Sequence, residues 1–260
     1  MADIPLSGLT YGEGPGHALM LVHGFPLDGR MWAPQEPALG AGRKVLVPDL
    51  LGFGKTPLPV GACSLEGQAE ALDRFATAHG AHPLVICGLS MGGYIALAFA
   101  ELFPERVAGL ILADTRAGAD TEAVRQGRTL SAKRVREKGV ASVSEELLAK
   151  LFHPRLPPRN GALMNEVRAL MLSQRPEAVA AALDAMRDRP SRERLLANLR
   201  CPVLVVVGEG DQMTPPEEAR AMVALAPIAR LLVIPEAGHL SNLEAPAAFN
   251  EGVVSFLSML

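Results

Sequence analysis

The sequence predicts an α/β protein organised around a mostly parallel sheet, and three observations carry that prediction. Short runs rich in Val, Leu and Ile alternate with longer amphipathic stretches along most of the chain. The runs lack polar alternation, as expected of parallel strands covered on both faces. The stretch "LVICGLSMGGYIALAFA" (Leu84 to Ala100) drives one such run into a glycine-flanked serine and then straight into a helical pattern.

Taken in order, strands are expected at Ala18–Val22, Lys44–Pro48, Leu84–Cys87, Gly109–Ala113, Val203–Val207 and Arg230–Ile234. Helical patterns fall between them at Ser64–His79, Met91–Phe103 and Pro215–Leu225, with a final one at Ala245–Leu257. Alternation of this kind builds a doubly wound sheet. An antiparallel hairpin from the first dozen residues is expected to start it. The alternation breaks once, after residue 116. From Ala117 to Pro190 helical patterns recur, as at Glu145–Phe152, Ala162–Leu172 and Ala178–Arg187, punctuated by Pro154, Pro157, Pro158, Pro176 and Pro190. We read 117–190 as a helical insertion between two core strands, with 1–116 and 191–260 forming the two parts of the core.

Composition narrows the function. A chain of 260 residues with 49% hydrophobic and 20% charged residues buries a substantial core. A net charge of −3 argues against nucleic acid or an anionic membrane as a standing partner. The insertion carries 13 basic and 9 acidic residues, a net +4, leaving the remainder at −7. The opening "MADIPLSGLTYGEG" lacks the basic and apolar regions of a signal peptide, and the apolar strands are too short to span a bilayer. Cys63, Cys87 and Cys201 are odd in number and scattered, which points to a reducing, cytoplasmic setting. No residue cluster has metal-ligand spacing and no dinucleotide or phosphate-loop fingerprint occurs, so neither metal nor cofactor is expected.

Gly88-Leu89-Ser90-Met91-Gly92 fits Gly-x-Ser-x-Gly in a strand-to-helix setting. So sharp a turn strains the central residue, and bulky neighbours would collide across it. The Ser90 hydroxyl is thereby expected above the carboxyl edge of the sheet, as a nucleophile. It needs a base to take its proton. His239, in "IPEAGHLSNLEAP", follows the last expected strand and is the candidate, because loops beyond the carboxyl ends of parallel strands converge. His79 and His82 are expected at a helix end, and His153 exposed on the insertion. For the carboxylate that orients the base, Asp211 and Asp114 compete, each closing a strand. Asp211 is favoured by the chain order Ser…Asp…His. The oxyanion of a tetrahedral intermediate would be met by the backbone N–H groups of Met91 and Phe25, with His23 bracing the latter's loop. "PDLLGFGKT" is read as a turn packed near it. Trp32, Phe152 and Leu240 are candidates for an apolar substrate pocket.

The set "HGFPLD", "DLLGFGKT", "GLSMGG", "GEGD" and "AGHLSNLEAP", in that order, resembles the α/β-hydrolase superfamily over essentially the whole chain, and most closely its compact carboxylesterase and enol-lactonase-like branch. The resemblance implies an eight-stranded sheet, a helical cap after the sixth strand, and Ser90, Asp211 and His239 as a catalytic triad. The expected activity is hydrolysis of small carboxylic esters through an acyl-serine, with no cofactor. Two other readings stand beside it. One is lactone or carbon–carbon bond hydrolysis of an anionic substrate gripped by Arg116, Arg125 or Arg128. The other is a non-catalytic ligand-binding protein on the same scaffold.

Overall fold

A computed structural model describes residues 4–59, 64–155 and 161–260; Cys63, Pro157 and Pro158 lie outside the described residues. Seven strands form a single sheet: β1 (Gly8–Tyr11), β2 (Glu13–Val22), β3 (Ala41–Pro48), β4 (Leu84–Leu89), β5 (Val107–Ala113), β6 (Val203–Gly208) and β7 (Ala229–Ile234). Their order is β1-β3-β2-β4-β5-β6-β7. Only β1 runs antiparallel to its neighbour, β3; the other pairings are parallel. Among the described residues eleven α-helices accompany them: α1 (Glu36–Leu39), α2 (Leu65–Ala78), α3 (Met91–Leu102), α4 (Glu122–Lys138), α5 (Ala141–Leu151), α6 (Gly161–Leu172), α7 (Pro176–Asp188), α8 (Glu193–Asn198), α9 (Pro216–Leu225), α10 (Ser241–Glu244) and α11 (Pro246–Leu257).

The sheet separates two cores, because successive strand residues point to opposite faces. Met20, Val22, Leu46, Ile86, Leu110, Leu112 and Val205 pack under α2 and α3. Leu19, Leu21, Val45, Val85, Ile111 and Val206 pack on the other side with Trp32, Phe249 and Val253. All six residues of β4 and of β6 are buried, which explains their unbroken apolar sequence.

Two sequence expectations need correction. The sheet has seven strands among the described residues, not eight. The missing strand belongs to the expected opening hairpin. β1 pairs with β3 rather than folding back on a neighbour in sequence. The residues before it are drawn elsewhere: Ser7 donates its N–H to Thr56 Oγ1 at 2.9 Å and accepts from the Asp49 N–H at 2.8 Å. With its backbone tied to the 49–56 loop and Leu6 buried in the core, this segment does not extend the sheet.

Between β5 and β6 the chain forms α4 to α8. The helical stretch therefore runs past Pro190, to Asn198. It is bolted to the core by buried arginines. Arg189 is 4.0 Å above the Tyr94 ring on α3 and pairs with Asp120 at 2.7 Å. Arg192 reaches Glu101 on α3 at 3.0 Å and Glu66 on α2 at 2.5 Å. The long helix α4 begins at Thr121, whose side chain accepts from the Val124 N–H, and stops at Gly139 with φ +75°. Thr121 and Gly139 thus close the two ends of this helix.

Candidate active site

Ser90 occupies the turn between β4 and α3 with φ 54° and ψ −113°, a region non-glycine residues rarely adopt. Its backbone is held from both sides: the N–H donates to Ala113 O at 2.9 Å, and the carbonyl accepts from Thr115 Oγ1 at 2.8 Å. The glycines allow the close approach. A Cβ on Gly88 would lie 2.1 Å from Gly92 O, across the turn itself. On Gly92 it would lie 2.2 Å from Val22 O, so this glycine lets β2 close up on the helix start. Ser90 therefore stands at the positive end of α3, partly exposed.

Two loops deliver partners to it. Ser90 Oγ lies 2.9 Å from His239 Nε2, and His239 Nδ1 lies 2.8 Å from Asp211 Oδ2. An ionised carboxylate only accepts, so Nδ1 carries the proton and Nε2 is left to accept from the serine hydroxyl. Asp211 is further bonded by Thr214 Oγ1 at 2.6 Å and by the N–H groups of Met213 and Thr214 at 2.8 and 3.0 Å. Burial alone would lift its carboxyl, but the charge and hydrogen bond of His239, with those of Thr214, hold it below the usual carboxylate range.

The competing carboxylate, Asp114, faces elsewhere. It is fully buried with φ 45°, accepts from the Gly208 N–H at 2.8 Å, and has Ser241 Oγ 2.5 Å from Oδ2. Burial and the nearby Asp211 charge push its carboxyl well above the usual range. The charged member of this pair is thus the one that touches the imidazole.

The loop after β2 packs against the serine. A Cβ on Gly24 would lie 3.7 Å from Ser90 Cβ. His23 is fully buried, accepts from the Leu50 N–H at 3.1 Å through Nε2, and has Nδ1 3.0 Å from Gly24 O. Burial lowers its proton affinity, consistent with a neutral brace between this loop and residues 49–56. Asp49 completes that join by accepting from the Gly29 N–H at 2.9 Å. Among the described residues, the N–H groups of Phe25 and Met91 have no hydrogen-bond acceptor, so both remain available.

Other expectations shift. Trp32 is core, wholly buried against Phe249 with ring centroids 5.9 Å apart. Phe152 and Leu240 are also buried, in the seam where the insertion meets the His239 loop, rather than open to a pocket. His153 is half-buried, not exposed: a Cβ on Gly210 would strike its ring carbon Cδ2 at 2.2 Å. Arg116 pairs with Met213 O and with Glu218 at 3.7 Å; Arg125 with Asp188 at 3.5 Å; Arg128 with Asp120 at 2.5 Å. All three cations are thus engaged within the chain. Cys87, one strand turn from Ser90, is buried, and burial raises its thiol, so it offers no competing thiolate.

Sequence reasoning missed three supporting groups. Thr214 follows Asp211 by three residues, the spacing of a side chain closing back on an aspartate turn. Ser241 is two residues past His239. Glu244, in the quoted "GHLSNLEAP", accepts from the Gly238 N–H at 2.7 Å and from the His153 N–H at 2.9 Å. Burial raises the Glu244 carboxyl to about 7.

A family model described as alpha/beta hydrolase fold matches residues 17–246. The chain belongs to the alpha/beta hydrolase fold family. Within that family it is similar to a solved thermophilic esterase from Thermogutta terrifontis, with 39% identity, a TM-score of 0.94 and coverage of 98% of this chain and 93% of that one. It is 32% identical to the dihydrolipoyllysine-residue acetyltransferase component of the acetoin cleaving system of Pseudomonas putida over 95% of its length, and spans 64% of that relative. It is 26% identical to 3-oxoadipate enol-lactonase 2 of Acinetobacter baylyi, covering 96% of this chain and 92% of the relative. Among the described residues of this alpha/beta hydrolase fold protein, no helix is long and apolar enough to cross a membrane.

Proposed function

We propose that the protein is a serine hydrolase that cleaves carboxylic esters of small substrates through an acyl-Ser90 intermediate. The unbroken hydrogen-bonded line from Ser90 Oγ through His239 to Asp211 carries this reading. In the first half-reaction Oγ attacks the ester carbonyl while Nε2 takes its proton. Asp211, ionised and buried, steadies the imidazolium without taking the proton itself. The oxyanion is met by the N–H groups of Met91 and Phe25. Collapse of the intermediate expels the alcohol, which receives the proton from Nε2. Water then attacks the acyl-enzyme by the same route and releases the acid.

Similarity to a protein named an esterase supports the ester substrate class, and similarity to one named an enol-lactonase makes a cyclic ester its natural variant. In a lactone the leaving oxygen stays tethered to the acyl group; every other step is unchanged. The helices of residues 117–190, α4 to α7, act as a cap over the site, with 1–116 and 191–260 as the hydrolase core. Arg116, Arg125 and Arg128 take no part in substrate binding on this reading, since carboxylates of the chain already engage them.

A fluorophosphonate probe tests the proposal directly. Wild-type protein is expected to label once per chain, at Ser90, with loss of activity toward p-nitrophenyl esters. Ser90→Ala should abolish labelling and lower turnover by several orders of magnitude. Ester turnover undiminished in that variant would overturn the reading.

A further inference from the structure

The loop that carries His239 is fastened to the insertion, and the fastening is built around one carboxylate. Glu244 opens its two oxygens toward two different elements. Oε1 accepts from the Gly238 N–H at 2.7 Å, the residue next to His239; Oε2 accepts from the His153 N–H at 2.9 Å, just past the end of α5. A second bond runs parallel to this bridge, from the Leu240 N–H to Leu151 O at 3.2 Å. The two backbones are pressed together between these bonds. A Cβ on Gly238 would lie 2.4 Å from His153 N and 2.5 Å from Phe152 C. The His153 ring lies in turn on Gly210, beside Asp211. The end of α5 therefore touches both the loop of the base and the loop of its carboxylate.

We propose that Glu244 is a positioning residue: its carboxylate clamps the His239 loop to the end of α5, so that the insertion sets where the imidazole stands relative to Ser90. The inference rests on the serine-hydrolase reading above and goes beyond it, since Glu244 touches none of the reacting atoms. Only an ionised carboxylate offers two full acceptors at this spacing. Glutamine keeps one acceptor and turns an amide N–H₂ toward the other donor. Aspartate, one methylene shorter, does not span both.

The groups facing Glu244 are Asp211 and His239 on the catalytic loops and His153 on the insertion. Asp211 disfavours its charge and His239 favours it, while the two N–H donors stabilise the anion. Protonation turns one of the two acceptor oxygens into a hydroxyl, so the bonding of that arm changes with the charge. Ionisation of Glu244 at about 7 therefore joins the events that control reactivity on the acid side.

The test compares wild type, Glu244→Gln and Glu244→Asp by the rate of fluorophosphonate labelling of Ser90 from pH 5.5 to 8.5. Labelling forms the Ser90 Oγ–P bond, expels fluoride and leaves the proton on His239. Both variants are expected to label fully but about ten- to hundred-fold more slowly at pH 8, the scale of a small misplacement of a catalytic group. In ester hydrolysis the loss should fall on kcat more than on KM. The Gln variant should also lack the wild-type ionisation centred at about 7. Wild-type rates and an unchanged pH profile in the Gln variant would overturn the proposal while leaving the serine reading intact. Failure of the wild type itself to label would overturn the serine reading, and the clamp with it. Should neither variant fold, amide hydrogen exchange on the wild type decides. Gly238 and His153 should be protected together, as the two donors to one carboxylate, and fast exchange at both while the surrounding amides stay protected would refute the clamp.

Discussion

Two buried aspartates lie near one another, and their environments assign them different jobs. Asp211 bonds the imidazole and stays charged; Asp114 bonds Gly208 and Ser241 and is pushed toward its neutral form. Asp211→Asn should therefore cut kcat by about 10⁴-fold by allowing the wrong imidazole tautomer. Asp114→Asn mimics a neutral acid, with an oxygen for the Gly208 N–H and an N–H₂ for Ser241, and should keep activity within roughly three-fold of wild type. Parallel pH 7 kinetics on the two variants would check the assignment, and a comparable collapse in both would refute it. Gly88→Ala should cost on the order of 3 kcal/mol in urea unfolding, since the new methyl meets backbone rather than a movable side chain. At this scale the sequence was informative about Ser90, Asp211 and His239 because each follows a parallel strand in a readable order. The partners Thr214, Ser241 and Glu244 escaped notice because their contacts depend on how separate loops meet, which no local spacing records. Trp32, Phe152 and Leu240 were misread for a related reason: a large apolar residue near a motif packs as readily into a core as around a ligand.

Among the elements, the insertion is joined to the loops around the candidate site at more than one place. Gln174, in the turn between α6 and α7, donates to Asp28 Oδ2 at 2.8 Å and accepts from the Gly54 N–H at 3.0 Å. Arg175 beside it donates to Gly52 O and Thr56 O. Asp28 in turn caps the helical turn that follows the Phe25 loop. Gln174→Ala strands the Gly54 N–H and removes one of the bonds on Asp28. It should cost about 1–3 kcal/mol of stability, readable as a lowered urea midpoint, and it should slow kcat with the Phe25 loop loosened. Thr121→Ala should cost about 1 kcal/mol by removing the N-cap of α4. That helix was the element hardest to read. It buries only Ala132 and Val135, so it lacks the apolar stripe that betrays most helices. The strands were read closely, since burial on both faces leaves so plain an apolar signature; β6 differs from expectation by a single residue. The lost opening hairpin was invisible for the opposite reason, because the pairing of β1 is decided by a strand more than thirty residues away.

For the molecule as a whole, buried carboxylates set an acid limit and one of them works against the rest. Asp28 and Asp120 are held below their usual range despite burial, by Arg30 and Gln174 in one case and by Arg128 and Arg189 in the other. Groups of this kind add stability above the unfolded value near 4, and that stability is lost as pH falls through their depressed folded values. Glu244 has the reverse sign. Its folded value of about 7 lies above the ordinary glutamate value of 4.5, so its contribution is largest below 4.5 and is lost as pH rises through 7. Relative to wild type, Glu244→Gln should thus gain on the order of 1–2 kcal/mol between pH 5 and pH 8, after discounting for partial exposure. Urea midpoints at the two pH values would measure it, and a constant difference would count against the assignment. A clamp that costs stability at the pH where it is charged is the pattern expected of a group retained for reactivity rather than for folding.

Ser90 and His239 stand 149 positions apart in sequence, and Asp211 lies 28 before the histidine. A chain being synthesised therefore exposes its serine long before the residues that would activate it exist. β6 and β7, which present Asp211 and His239, join the sheet only after the whole helical stretch has been made. On the serine-hydrolase reading proposed above, an unfinished chain lacks the groups that would make Ser90 react. During refolding, the return of fluorophosphonate labelling should follow the docking of these last strands rather than the first collapse, so a covalent mark on Ser90 doubles as a time stamp for completed folding.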